Sequence, residues 1–324
     1  MADSDTIQFR PGKRFGDWTI SDKLDEGGFG QVYIVTHRKD KTKKAALKAE
    51  SNDVEGGSAI KLEILVLHAL QEGGIEKPHI PFVYHAAKHS GFCYMIMTLL
   101  GDNFKHLKNA QKGEKLTVNT WIRLAIQCVY ALKIVHDNGF LHRDIKPNNF
   151  VMGEKTDRDK ARCVFILDFG LSRSYAFKLQ DKWISRLARG SAEFRGTHRY
   201  CSPNVHDKIE QGRRDDIWSL FYVLIELHGG LPWQTTKEKD KIEMMKCNIK
   251  DEHLTQNLPR ELKTIIPDLR KKKIKHDDPY DWEEPGKILK PSKTPAWYKP
   301  DDFFKSDPIK INGAPEKTEW SVRQ

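Results

Sequence analysis

The sequence has no long apolar run, and this absence sets the first limit on the kind of protein it encodes. A membrane-spanning helix needs about 18 or more consecutive apolar residues, and no such stretch occurs in the 324 residues. The first ten residues include Asp3 and Asp5, where a secretory signal peptide would need a basic end and an apolar segment. We therefore expect neither export nor a membrane partner.

Cysteine is also scarce, with 5 residues in the whole chain. The five are scattered and are not spaced like the paired ligands of a zinc site, so the sequence indicates neither a disulfide framework nor a structural metal. A reducing compartment is therefore predicted, which means the cytoplasm and also the nucleus.

Acidic residues are outnumbered, since the chain has 55 lysines and arginines and 45 aspartates and glutamates. The formal charge of +10 bears on association rather than on fold. It is either a solvated surface or an attraction for acidic or phosphorylated partners. The run KKKIKH at residues 271–276 has no nucleic-acid-binding motif around it and is typical of a solvated face or a nuclear-import patch. A nucleic-acid partner is therefore not predicted.

The first hundred residues contain mainly strand signals. After a polar stretch over residues 1–15, which reads as a flexible N-terminal arm, β-branched and aromatic residues become frequent. The strands predicted from them are Trp18–Leu24, Val32–Val35, Lys44–Glu50 and Cys93–Leu100. One helix is predicted over Ser58–Gln71, where apolar residues recur at helical spacing and glycines follow.

Beyond Gly101 the pattern becomes mainly helical. An amphipathic helix is predicted over Thr117–His136, and a second over Asp216–His228 that stops at Gly229. The residues assigned to the buried face of the first helix are Ile122, Ala125, Ile126, Val129 and Leu132. The change from strands to helices near residue 100 predicts a small sheet lobe joined to a larger helical lobe, an α+β fold.

A glycine cluster in EGGFGQVY, formed by Gly27, Gly28 and Gly30, lies between the first two predicted strands. Glycine in such a turn lets backbone N–H groups approach a phosphate closely, although a glycine hairpin is more often only a hairpin. Lys48 ends an apolar strand farther along the chain. Its ammonium suits the α- and β-phosphates of a nucleotide if an acid such as Glu63, on the following helix, holds it in place.

The segment LHRDIKPNNF, residues 141–150, gathers an acid, a lysine and an amide into one short loop. These residues are Asp144, Lys146 and Asn149, and a polar turn without function would not require that spacing. A further acid, Asp168, ends an apolar strand pattern and is followed two residues later by glycine. That arrangement suits a metal-ligand turn.

In this order and spacing, the motifs resemble those of the protein kinase family, and within it the tau-tubulin kinase-like branch of the casein kinase 1 superfamily. The resemblance covers Trp18–Pro232 and rests on the segments GFLHRDIKPNNF, ILDFGLSR, FRGTHRYCSPN and GRRDDIWSLFYVLIE. It implies a bilobal kinase domain over residues 16–286. The parts are an N-lobe 16–98 with a small antiparallel sheet and one helix, a hinge 98–101, and a larger, mainly helical C-lobe 102–286. Residues 287–324 would form a C-terminal tail.

The resemblance implies ATP and Mg²⁺ as cofactors. Gly27, Gly28 and Gly30 would cover the phosphates, and Lys48, paired with Glu63, would contact them. The implied adenine contacts are Leu24, Val32, Ala46, Val151 and Leu167, with Met97 at the back of the pocket and the backbone of Leu99 and Leu100 in the hinge.

For the reaction, the resemblance implies that Asp144 orients the substrate hydroxyl and accepts its proton, while Lys146 neutralises charge on the γ-phosphoryl group. Asn149 and Asp168 would hold the magnesium ions. A lysine two residues after the catalytic aspartate is the serine/threonine arrangement, so the implied acceptors are Ser and Thr hydroxyls of proteins. Asp216 would be a scaffold residue that accepts backbone hydrogen bonds from the catalytic loop.

The basic residues near the implied substrate side leave two interpretations open. Arg199 matches the anion-binding arginine of the superfamily, and Arg195 lies near it in sequence. They are either solvated or part of a subsite for acidic or phosphorylated substrates. Thr197, in the family's Gly-Thr turn, would contact the catalytic loop. The protein is expected to be a monomer.

The sequence departs from the general kinase pattern in three places. Asp25 stands where the first glycine of the loop is usual, and Ser202-Pro203-Asn204 replaces Ala-Pro-Glu in a form close to the Ser-Ile-Asn of the superfamily. Only about fifteen residues separate LPREL from DPYDWE. The chain then either has a shortened C-lobe whose apolar face the tail covers, which we favour, or is a splice form of reduced stability. The alternative to an enzyme is a pseudokinase that holds nucleotide or a partner without turnover. Against it, every residue assigned to catalysis is present.

Overall fold

The computed structural model describes residues 8–27, 30–53, 59–71, 74–179, 182–260, 263 and 269. In chain order the elements are β1 (Arg14–Phe15), β2 (Trp18–Gly27), β3 (Gly30–His37), β4 (Lys44–Ser51), α1 (Ala59–Leu70), β5 (Val83–Lys88), β6 (Phe92–Thr98), β7 (Leu100–Asn103), α2 (Phe104–Asn109), α3 (Val118–Asp137), β8 (Phe140–Leu141), β9 (Phe150–Gly153), β10 (Val164–Ile166), β11 (Arg173–Ser174), β12 (Ala176–Leu179), β13 (Lys182–Ser185), α4 (Pro203–His206), α5 (Arg213–His228), α6 (Lys239–Asn248) and α7 (Asp251–Leu254). The described residues fall into two compact units, the first formed by residues up to 101 with 152–170, the second by 102–151 and the residues after 170.

The first unit is built on a six-stranded antiparallel sheet with the strand order β1-β2-β3-β4-β6-β5. Along β3, buried residues alternate with partly exposed ones, as expected of a strand that covers a core with one face. Its Tyr33 and Val35 pack with Leu47 of β4 and Ile96 of β6 in one apolar cluster. The predicted combination of a small antiparallel sheet with one helix is confirmed.

Two phenylalanines anchor the later part of the predicted flexible arm to the sheet, which corrects the boundary predicted for that arm. Phe9 and Phe15 are both buried, and their ring centroids lie 5.0 Å apart. The backbone N–H of Phe9 donates to the Tyr33 hydroxyl at 3.0 Å. The residues between the two phenylalanines are mostly polar, so the composition of this stretch predicted a flexible arm. The contact forms because burial of an aromatic ring removes a large apolar area from water. Residues 1–7 lie outside the described residues.

The second unit is mainly helical, and α5 is its most buried helix. Every residue from Trp218 to Leu227 is buried, which is typical of a helix enclosed by other elements on all sides. α3 packs against α5, and the Trp121 indole N–H donates to the Leu224 carbonyl at 2.7 Å. Both helices predicted for this part of the chain form, with α5 starting at Arg213.

The buried face predicted for α3 was wrong at three of its five residues, while Leu132 is buried as predicted. Ile122, Ile126 and Val129 are 41%, 65% and 50% exposed. The side that packs carries Trp121, Leu124, Cys128, Ala131, Leu132 and Val135. The helix has two neighbouring rows of apolar residues at helical spacing, one position apart, and periodicity alone cannot choose between them. The row that is buried contains the tryptophan, the largest side chain on the helix.

Three predictions lie outside the described residues: the KKKIKH run, the shortened end of the C-lobe near DPYDWE, and the tail 287–324. In the part of the chain that the structure describes, none of the helices combines the length and the hydropathy that crossing a bilayer requires.

Candidate active site

In the first unit, Lys48 of β4 and Glu63 of α1 form a buried ion pair. Lys48 Nζ lies 2.5 Å from Glu63 Oε2, and the two side chains are 14% and 2% exposed. Burial disfavours the ammonium, but the carboxylates of Glu63 and Asp168 outweigh it and raise the pKa of Lys48 above its ordinary value. The lysine is therefore held as a cation, although burial alone would favour its neutral form.

The pair forms because β4 positions the start of α1. Glu50, two residues after Lys48 and on the same face of the strand, accepts hydrogen bonds from the backbone N–H groups of Ala59 at 2.9 Å and Ile60 at 2.8 Å. Its carboxylate thus satisfies donors that the first turn of a helix leaves free. Burial raises the pKa of Glu50 despite these bonds. The sequence analysis missed this residue, since its partners are backbone groups.

Asp168 approaches the same pair from the end of the strand β10. Its Oδ1 lies 4.0 Å from Lys48 Nζ, and its backbone N–H donates to Glu63 Oε1 at 3.2 Å. The residue has a φ of +67°, a left-handed conformation that is uncommon outside glycine. Lys48, Glu63 and Asp168 therefore form one charged group within the first unit. The pairing of Lys48 with Glu63 was predicted, and the approach of Asp168 to that pair was not.

The glycine turn is described in part. Gly27 ends β2 opposite Gly30, while Gly28 lies outside the described residues. Gly30 has a φ of +132°, and a Cβ there would lie 2.2 Å from the Ala49 carbonyl oxygen. The close approach of β3 to β4 thus requires glycine at this position whether or not a phosphate binds. Asp25 lies in β2 opposite Val32.

The residues predicted to surround adenine have different exposures. Ala46 and Met97 are buried cross-strand partners of β4 and β6, and Val32 pairs with Lys48 across β3 and β4. Leu24 is 47% exposed and lies at a bulge of β2. Three more of these residues, Leu99, Leu100 and Leu167, are partly exposed and belong to the first unit. Val151 is buried and belongs to the second unit.

In the second unit, Asp144 is held at both carboxylate oxygens. Oδ1 accepts a hydrogen bond from the Thr197 hydroxyl at 2.7 Å, and Oδ2 lies 2.5 Å from Lys146 Nζ. The Asn149 amide donates to the Asp144 backbone carbonyl at 2.8 Å, which closes the loop on itself. Asp144, Lys146, Asn149 and Thr197 are thus brought together, and the predicted contact of Thr197 with the catalytic loop is present.

Asp216 of α5 holds the start of this loop through its backbone. Its carboxylate accepts hydrogen bonds from the backbone N–H groups of His142 and Arg143, both at 2.8 Å, and it lies 2.9 Å from His136 Nε2. Burial acts to raise the pKa of Asp216, but the hydrogen bond and charge of His136 lower it below its ordinary value. Arg143 has a φ of +67°, so the strained point of the loop is also the point that Asp216 holds.

Arg195 and Arg199, the residues proposed for an anion subsite, have different partners. Arg199 Nη2 donates to the Gln234 carbonyl at 2.7 Å, and Arg195 Nη2 lies 2.9 Å from Glu193 in an exposed pair. The replacement for Ala-Pro-Glu also has a partner. Ser202 and Asn204 donate to Asp215 Oδ1 at 2.5 and 3.1 Å.

Exchange of Glu63 for glutamine tests the buried ion pair. The change removes the nearest counter-charge of the Lys48 ammonium, so we expect the protein to lose about 3–5 kcal/mol of stability and to bind Mg-ATP more weakly. Chemical denaturation and nucleotide titration would measure both. The control is Glu76→Gln, because Glu76 pairs with Lys160 at 2.5 Å on the surface, where such a pair is worth about 1 kcal/mol or less. Equal losses in the two variants would contradict the assignment.

Comparison with known proteins places these features in one family. A model of the protein kinase domain matches residues 18–278. A Caenorhabditis elegans protein named inactive tau-tubulin kinase is 40% identical over 289 residues, covering 80% of this chain and 98% of that protein. A putative serine/threonine-protein kinase of the same organism is 37% identical, covering 92% and 83%. A putative casein kinase I, again from this organism, is 28% identical, covering 86% and 87%.

Proposed function

The chain belongs to the protein kinase family, in the tau-tubulin kinase-like branch of the casein kinase 1 superfamily, and we propose that it is an active serine/threonine kinase. The observation that carries this proposal is the state of Asp144. It is buried, and its carboxylate is fixed by Thr197 and Lys146 in a loop that Asp216 holds. A carboxylate held in this way can orient an acceptor hydroxyl and take its proton.

Lys48 and Asp168 of the first unit, and Asn149 of the second, are residue types that fit a nucleotide bound with magnesium. Lys48 is kept charged by its neighbours, which suits contact with α- and β-phosphates. Asp168 offers carboxylate oxygens and Asn149 offers its amide oxygen, since the amide N–H already bonds to the Asp144 carbonyl. Oxygen ligands are those that Mg²⁺ prefers. When bound, Mg²⁺ would supply positive charge that neutralises the charge developing on the phosphate oxygens.

In the proposed reaction, Asp144 orients the acceptor hydroxyl and takes its proton as the oxygen attacks the γ-phosphorus. The bond from that phosphorus to the β-γ bridging oxygen breaks, and ADP leaves. Lys146 places a positive charge next to the transferred group, while Thr197 keeps the Asp144 carboxylate from rotating. Phosphoryl transfer needs positioning and charge of this kind rather than covalent participation by the protein.

We propose Ser and Thr acceptors with an acidic or phosphorylated residue nearby. Support for Ser/Thr comes from Lys146, two residues after the catalytic aspartate, and from the related protein named a serine/threonine-protein kinase. Support for the acidic preference comes from the formal charge of +10 and from Arg199, which is only partly exposed and lies two residues from Thr197.

A peptide panel tests both parts of this specificity. The panel offers one sequence with Ser, Thr or Tyr as acceptor, flanked by neutral, acidic or phosphorylated residues. We expect transfer to Ser and Thr, with higher kcat/KM for the acidic and phosphorylated members in wild type and a smaller difference in Arg199→Gln. Preferential transfer to Tyr would contradict the first part. Equal rates on neutral and acidic peptides would contradict the second.

The second candidate is a pseudokinase, and the name of one relative favours it, since that protein is called inactive. In this chain, however, the residues assigned to proton transfer and to phosphate contact are all present and in contact with partners that suit those roles. We therefore retain the active enzyme as the proposal.

We further propose a monomer in the cytoplasm and also the nucleus, with the kinase domain ending near residue 286 and a separate tail at 287–324.

A further inference from the structure

Lys246 of α6 is a buried cation whose two shortest hydrogen bonds go to backbone carbonyls. The residue has no exposed surface. Its Nζ donates to the carbonyl oxygens of His198 at 2.5 Å and Cys201 at 2.7 Å. Both acceptors belong to the short segment that directly follows Thr197, the residue that bonds to Asp144.

Two aromatic rings also lie near the Lys246 amino group. The Lys246 Nζ lies 5.2 Å from the ring centroid of Tyr222 and 5.7 Å from that of Trp233, distances at which a ring face attracts a cation. Trp233 also acts on the same segment, because its indole N–H donates to the Arg199 carbonyl at 3.0 Å. The carbonyls of residues 198, 199 and 201 are therefore all held by donors from Lys246 and Trp233.

The ionisable groups facing Lys246 do not supply a strong counter-charge. The thiol of Cys201 lies 3.6 Å away and His206 Nε2 lies 3.4 Å away, and Glu243 pairs with the far side of His206 at 3.3 Å. Burial lowers the pKa of Lys246 to about 8. An ammonium kept here costs desolvation energy, and the carbonyls of one backbone segment are the groups that repay it through charge-assisted hydrogen bonds.

We propose that Lys246 is a positioning residue that fixes residues 198–201, so that Thr197 stays on Asp144 and Arg199 keeps the orientation needed to receive the acidic side of a substrate. This role rests on the proposed kinase activity and extends it to α6, a helix with no residue among the kinase motifs. The lysine acts through the backbone of the segment and contacts neither nucleotide nor acceptor hydroxyl.

Kinetics of Lys246→Met test the role, because methionine keeps the length of the side chain and removes its charge and its donors. We expect KM for an acidic peptide to rise about tenfold or more, a loss equal to about 1.4 kcal/mol, while KM for Mg-ATP stays within about twofold. Lys241→Met is the matched control, since Lys241 is an exposed lysine of the same helix and its loss removes the same charge. A peptide KM of Lys246→Met that equals that of Lys241→Met would overturn the proposal.

Hydrogen exchange of the backbone amides of residues 194–206 separates this inference from the proposed function. We expect faster exchange there in Lys246→Met than in wild type and Lys241→Met, with no change in α1. Unchanged exchange would overturn the positioning role. If wild type transfers no phosphate, the kinase proposal fails, yet the exchange result still decides the role of Lys246. Should the methionine variant not fold, Lys246→Arg decides instead, and it is expected to keep wild-type exchange because it retains the charge and the donors.

Discussion

Asp144→Asn is expected to lower kcat by about 10²–10⁴-fold, the usual contribution of a positioned general base. Asparagine has nearly the same shape and can still accept the hydrogen bond that the Thr197 hydroxyl now donates to Oδ1. It cannot take a proton from the acceptor hydroxyl, and it removes the counter-charge of Lys146. Affinity for Mg-ATP should change little, because the nucleotide contacts proposed for Lys48 and Asp168 belong to the first unit.

The control variant is Asp207→Asn, which makes the same chemical change at an exposed position of the second unit. Single-turnover transfer from labelled Mg-ATP separates the chemical step from product release. We expect Asp207→Asn to match wild type. If Asp144→Asn keeps more than about a tenth of the wild-type rate, proton removal by Asp144 is not the source of the acceleration.

Asp216→Ala is expected to lower both stability and activity. The substitution leaves the backbone N–H groups of His142 and Arg143 without the carboxylate that now accepts from them. Each buried donor left unsatisfied costs about 1–3 kcal/mol, so a loss of about 3 kcal/mol or more is expected. Because these two residues begin the loop that carries Asp144, kcat should fall with stability even though Asp216 takes no part in the reaction.

Denaturation midpoints and kcat measured together distinguish this scaffold role from a general loss of charge. The control is Asp240→Ala, an exposed acid in the first turn of α6, where the helix dipole makes a carboxylate worth about 0.3–1 kcal/mol. A variant at Asp216 that keeps wild-type stability would show that His142 and Arg143 find other acceptors, and the account of the loop would then be wrong.

The sequence predicted those active-site residues that stand in motifs whose spacing the phosphoryl-transfer chemistry requires. Lys48, Glu63 and Asp168 are far apart in the chain, and the sequence motifs assigned all three to the binding of nucleotide and magnesium. The structure brings them into contact. The strands β2, β3, β4 and β6 and the helices α1, α3 and α5 follow from periodicity and from glycine stops.

Sequence failed where the partner of a residue is backbone or lies far along the chain. Glu50 bonds to the N–H groups that start α1, and Lys246 bonds to carbonyls 45 or more positions earlier. No residue type marks a backbone acceptor, so neither role leaves a pattern. The wrong face of α3 has another cause, since Ile126 and Leu124 both lie on apolar rows and only contact with α5 shows which row is buried.

The measurement that tests the central claim most directly is transfer of labelled γ-phosphate from Mg-ATP to casein and to a Ser/Thr peptide library. Wild type, Asp144→Asn and Asp207→Asn would be compared at equal concentration after a check that each is folded and binds nucleotide. The account predicts transfer to Ser and Thr by wild type and Asp207→Asn, and its loss in Asp144→Asn. A folded wild type that binds Mg-ATP and transfers no phosphate would contradict it and assign the chain to the nucleotide-binding pseudokinases.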